Sequence, residues 1–168
     1  MNFEKDCKFP VVILYDDGDV AADETSHGLT ICRKTDLKAG QSGRFARSTI
    51  IDSNSFAWRM DGAEKLNGVG PFWGYNLFLN QTVRVRPKIL GEPKAATLQF
   101  IKSEIGKRLQ KPDALTITLK IGCATIDREV ARALLPQVEQ ASSASHIINA
   151  LLAADFPERQ RWELNPVR

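Results

Sequence analysis

The sequence predicts an α+β fold: a single domain, residues 1–168, with a mainly antiparallel sheet packed against about three helices. Three observations lead there. Apolar and polar residues alternate with a period of two in several short stretches before residue 90. Stripes with spacings of three and four begin only near residue 97. The two kinds of segment do not interleave steadily, as a doubly wound parallel sheet requires.

Val11-Val-Ile-Leu-Tyr15 is an apolar run ending at Asp16-Asp17-Gly18-Asp19, which reads as a strand and then a turn. Residues 19–27 are acidic and small, and are expected as loop. Leu29–Arg33 alternates and predicts a second strand, and 39–43, Ala-Gly-Gln-Ser-Gly, is loop by composition. Thr49, Ile50 and Ile51 are β-branched and predict a strand over 47–52. Phe56, Trp58 and Met60 alternate with Ala57, Arg59 and Asp61, predicting another over 55–61. Between them, Asp52-Ser53-Asn54-Ser55 reads as a turn, since Asp and Asn bond their own backbone and tolerate left-handed angles. The result is a hairpin with one aromatic face. Over 82–89, Val83 and Val85 point one way while Arg84, Arg86 and Lys88 point the other. Pro87 has no N–H for a ladder, which marks an edge or a strand end.

Gly91-Glu92-Pro93 breaks this pattern, and a helix follows near 97–110. Leu98, Ile101, Ile105 and Leu109 form its stripe, Thr97 is its candidate N-cap, and Lys107, Arg108 and Lys111 suit its negative pole. Pro112 stops it. Leu115, Ile117, Leu119 and Ile121 predict a strand over 115–121. Thr125 is placed to cap a helix over 126–140 with Ile126, Val130, Leu134 and Val138 on one face and a bend or end at Pro136. Ser142 or Ser143 caps a last helix near 143–155. Residues 1–10 and 158–168 are expected at the periphery.

Hydrophobic content of 43% and charged content of 26% are those of a water-soluble globular protein, and no apolar run is long enough to span a membrane. The start, Met-Asn-Phe-Glu-Lys-Asp-Cys, has no apolar segment and is not expected to be a signal peptide. Cys7, Cys32 and Cys123 are odd in number and widely spaced, which favours reduced thiols and a cytoplasmic location over a disulfide framework. The net charge of +3 conceals a split. Residues 1–27 carry seven acids and two bases, residues 28–111 fifteen bases and six acids, and residues 112–168 six bases and seven acids. A basic middle is compatible with an acidic partner, but it lacks the charge density of a committed nucleic-acid binder.

Four constellations carry possible chemistry. Asp17 and Asp19 follow an apolar strand, where carboxylates can hold Mg²⁺ and present an oxygen nucleophile to phosphate. A phosphoryl-transfer enzyme of that kind needs βα units that this chain lacks, and a solvated acidic turn is the simpler account. Phe72, Trp73 and Tyr75 stand among Gly68, Gly70, Pro71 and Gly74, a composition that serves a recognition loop, or else a turn folded back on the core. No dinucleotide fingerprint is present, because Pro71 interrupts it and the third glycine is displaced. Arg84, Arg86 and Lys88 offer a row of cations to an acidic protein or, weakly, to a nucleic acid; the alternative is a solvated face that resists edge pairing. His27 and His146 are far apart in the chain and belong to no catalytic motif, so structural or solvated roles are expected. Trp58 is expected in the core, and Trp73 partly exposed and in contact with a partner.

The order Ile50-Ile-Asp-Ser-Asn54, then Trp58, the strand Val83-Arg-Val-Arg86 and the helix Leu98 to Leu109 resembles small bacterial α+β proteins, some similar to immunity proteins of toxin–antitoxin effector pairs. The likeness covers residues 29–110. It implies a non-enzymatic cytosolic binder of one protein partner, with no cofactor and no catalytic residue to carry over. The expected function is accordingly a protein-interaction module that binds through Phe72, Trp73, Tyr75, Arg84, Arg86 and Lys88.

Overall fold

A computed structural model describes residues 3–33, 45–68, 82–110, 115–119, 122–126 and 128–154. The strands are β1 (Val11–Leu14), β2 (Val20–Asp23), β3 (Ile31–Arg33), β4 (Ser48–Asp52), β5 (Phe56–Gly68), β6 (Thr82–Ala95), β7 (Leu115–Leu119) and β8 (Gly122–Ile126). The helices are α1 (Phe3–Asp6), α2 (His27–Thr30), α3 (Leu98–Leu109), α4 (Arg128–Ala133), α5 (Leu135–Gln140) and α6 (Ala144–Leu152). The strands form one sheet in the order β3-β6-β5-β4-β1-β2-β7-β8. Every neighbouring pair is antiparallel except β2 with β7. The chain is thus α+β with a mainly antiparallel sheet, as its patterning predicts.

β1 lies inside the sheet, and all four of its residues are buried. A strand covered on both faces needs a continuous apolar run, and Val-Val-Ile-Leu supplies one. Val12 and Leu14 join Val20, Ala22 and Ile51 beneath the helices, with Ile101, Ile105, Val138, Ile147 and Ile148 packed on them. Val11 and Ile13 face the other way, into a second core with Ile50, Trp58, Met60, Val83 and Val85, closed by Leu29, Phe45 and Cys7. Phe3 of α1 meets Trp58 edge-on, with ring centroids 5.4 Å apart.

The hairpin turn works by side-chain capture. Asp52 Oδ1 accepts from Asn54 N at 3.0 Å and Phe56 N at 2.8 Å, while Ser55, at φ 66°, takes the left-handed angle. The caps of α3 and α6 are the expected ones: Phe100 N donates to Thr97 Oγ1 at 3.2 Å, and His146 N to Ser143 Oγ at 3.1 Å. The bend expected at Pro136 is real, for α4 ends at Ala133 and α5 restarts with Pro136 in its first turn.

Several boundaries differ from the expectation. Residues 20–23 are not loop but strand β2, held between β1 and β7. Its Ala21 and Ala22 have weak strand preference, and pairing on both sides overrides it. Leu29 lies in a short helix, so the strand expected over 29–33 keeps only Ile31–Arg33. Thr125 does not cap a helix; it pairs with Thr116 in the β7–β8 hairpin. Gly91-Glu92-Pro93 does not end β6. It forms an irregularity between the pairs Ala57↔Lys94 and Arg59↔Leu90, with Gly91 at φ 67° absorbing the extra length. β5 likewise runs past residue 61 to Gly68, with a shift at Gly62, φ 116°. Among the described residues, no helix is long and apolar enough to cross a membrane.

Candidate functional site

β5 and β6 are the two longest strands and form a ribbon that outruns its neighbours. β4 pairs with β5 only as far as Met60, and β3 pairs with β6 only from Thr82 to Arg84. Pro87 falls where no described strand pairs with the outer side of β6, which is where a residue without an N–H is tolerated.

The alternation along β6 is sharp. Val83, Val85 and Pro87 are buried, and Ile89 packs against the same core. Arg84, Arg86, Lys88 and Leu90 face away from it, and all four are exposed. On this side of the sheet α6 packs over β2, β4 and β7 and α3 over β2, while Arg84, Arg86, Lys88 and Leu90 of β6 stay exposed. Arg59 of β5 stands opposite Leu90, and Glu64 opposite Arg86. Leu66 and Leu90, each 48% exposed, give the ribbon apolar surface beside its charges.

Arg86 already has an acidic neighbour in the fold: its Nε lies 3.1 Å from Glu4 Oε1. A second pair, Arg47 with Asp16 at 3.1 Å, likewise joins the acidic first segment to the basic middle. The charge split in the sequence is therefore partly neutralised within the molecule. Phe72, Trp73 and Tyr75 lie outside the described residues, between β5 and β6 in the chain.

Asp16 to Asp19 join β1 to β2. Gly18 takes φ 91°, Tyr15 N donates to Asp19 O at 3.0 Å, and Asp17 Oδ1 accepts from Asp19 N at 3.0 Å. Asp17 and Asp19 thus build a hairpin turn. Among the described residues, no three His, Cys, Asp or Glu side chains gather to hold a metal ion. His146 is exposed at the start of α6, with Nδ1 2.9 Å from Ser142 Oγ.

Between α3 and α5 lies an open groove of about 390 Å³, lined by Lys102, Ser103, Lys107, Leu135, Val138 and Glu139 among others. Lys102 Nζ closes one side by donating to Glu139 O at 2.6 Å. On another face of α3, Glu104 accepts from Arg108 Nη1 at 2.5 Å and Lys107 Nζ at 2.9 Å. These donors, Arg108 first, hold the Glu104 carboxyl below the usual carboxylate range. Arg108 also reaches Tyr15 O at 3.4 Å, tying α3 to the end of β1.

Arg84, Arg86 and Lys88 were legible as one face from their spacing alone. Leu90 continues the same alternation, and Arg59 continues that of Trp58, so both could have been included. Glu4 could not, since 82 positions separate it from Arg86. Comparison with protein-family models, curated proteins and solved structures gives no significant match.

Proposed function

We propose that this chain is a non-enzymatic protein-interaction module, immunity-like, that works in the cytosol of a bacterium and binds an acidic partner through the exposed cationic face of β6. One observation carries the proposal: Arg84, Arg86, Lys88 and Leu90 stand exposed on one side of a strand whose other side is buried. Cations displayed from a rigid strand steer an acidic protein into register, and an adjoining apolar side chain adds desolvated contact. The pattern resemblance of residues 29–110 to small bacterial α+β proteins, some similar to immunity proteins, is in keeping with the same reading. Trp73, which lies in the sequence between Gly68 and Thr82, is included as a further contact.

The test is affinity capture from a lysate of the organism that carries the chain, read by mass spectrometry and run beside the charge-reversed variant R84E/K88E. The expected result is a partner captured by the parent, lost from the variant and released as salt is raised. A partner retained equally by both would dispose of the proposal.

A further inference from the structure

We infer that the cationic face of β6 takes an acidic protein segment carrying an apolar residue among its carboxylates, and that Glu4 of this chain holds part of the site until that segment displaces it. The inference rests on the binding role proposed above; it adds the chemistry of the partner and the contact it must break.

The first observation is the ion pair itself. Glu4 Oε1 sits 3.1 Å from Arg86 Nε, with the side chains 58% and 54% exposed. A carboxylate presented from a short helical turn is therefore already accepted by this strand. An ion pair so exposed is weakly held, so an incoming carboxylate can take its place at little cost.

The second observation is the setting of Leu90. It is 48% exposed, follows Lys88 on the same side of β6, and lies opposite Arg59 in the register. An apolar side chain between two cations complements an apolar side chain between carboxylates. The face is also not uniformly positive. Glu64 stands directly opposite Arg86, and Asp61 is exposed on the same strand as Glu64. A phosphate backbone, negative throughout, gains from an unbroken cationic track and meets repulsion at Glu64. A protein segment with separated carboxylates does not.

The experiment is a fluorescence-anisotropy titration of the full chain with three labelled probes of equal length. They are a peptide of Glu-Glu-Leu repeats, a poly-glutamate peptide and a single-stranded oligonucleotide. The Glu-Glu-Leu peptide should bind tightest. Glu4→Gln should tighten it about two- to fivefold, the range expected from removing an exposed ion pair, with a fall in melting temperature of no more than a few degrees. Leu90→Ser should bring its affinity down to that of poly-glutamate, and Arg86→Glu should weaken both peptides. Absence of peptide binding, indifference to Glu4→Gln or to Leu90→Ser, or tightest binding by the oligonucleotide each overturns the inference. The captured host partner separates the two proposals. Loss with R84E/K88E, but indifference to Glu4→Gln and Leu90→Ser, leaves the binding role standing and this inference refuted. Indifference to R84E/K88E refutes both.

Discussion

The indole Nε1 of Trp58 donates to Asp52 Oδ2 across 3.2 Å, with both residues buried. The same carboxylate accepts from Lys8 N at 3.3 Å, and its other oxygen takes Asn54 N and Phe56 N. One buried side chain thus joins the start of β1, the hairpin turn and the aromatic core. A buried carboxylate is costly unless its lone pairs are satisfied, and four donors satisfy this one.

Asp52→Ala is expected to destabilise the fold by on the order of 3 kcal/mol, because it strands buried N–H groups at about 1–3 kcal/mol each. Trp58→Phe keeps most of the ring and removes one donor, so about 1–2 kcal/mol is expected. Trp58→Ala, which empties a fully buried site, should cost about 3–5 kcal/mol. Urea denaturation of Asp52→Ala, Trp58→Phe and their double mutant measures the coupling. A sum of single effects with no interaction energy would mean that the bond at 3.2 Å contributes nothing of its own.

Burial pushes the Cys7 thiol up from an ordinary 9.0 to about 12, and the nearby Asp52 charge acts in the same direction. A thiol so shifted is almost wholly protonated at neutral pH and is a poor nucleophile. Cys7 should resist iodoacetamide in the native protein and react readily in urea, as followed by peptide mass spectrometry. The raised value also fixes a sign. The stability linked to this thiol is present in full below about 9.0 and is lost as pH climbs towards 12. Rapid labelling of native Cys7 at pH 8 would contradict its burial.

Glu104 gives the opposite dependence. Its carboxyl is held below 4.5 by hydrogen bonds from Arg108 first and Lys107 next. A depressed folded value contributes stability that is present above about 4.5 and is lost as pH falls through the lower folded value. Glu104→Gln should therefore melt below the parent at neutral pH, by a difference of about 1 kcal/mol or less. The two melting curves should converge in strong acid. A gap that persists there would assign the effect to packing instead of charge.

Millimolar Mg²⁺ is expected to leave the melting temperature unchanged, because Asp17 and Asp19 are built into the turn between β1 and β2. An ion that binds only the folded state raises the melting temperature by mass action. A rise abolished by Asp17→Asn would establish a cation site at that turn and revive the phosphoryl-transfer alternative.

Local chemistry made much of this legible. The Asp52–Ser55 turn, the Thr97 and Ser143 caps, the break at Pro136 and the two-sided pattern of β6 each depend on residues within a few positions of one another. Short-range periodicity and capping are written in adjacent letters, so they survive without knowledge of the fold. The cationic face Arg84, Arg86 and Lys88 belongs to the same class.

What the sequence by itself determined is therefore the class, the Asp52–Ser55 turn, the Thr97 and Ser143 caps, and which side of β6 is charged. The tertiary structure decided the rest. Val20–Asp23 and Gly122–Ile126 are strands because β7 pairs with both, one parallel and one antiparallel; neither segment has a pattern strong enough to stand alone. Gly91 continues a strand that its neighbours would have ended, because β5 lies alongside to receive it. Glu4 meets Arg86 because α1 folds back against a strand 82 positions away. Contacts of that range follow from how the layers close on two cores, and no local spacing encodes them.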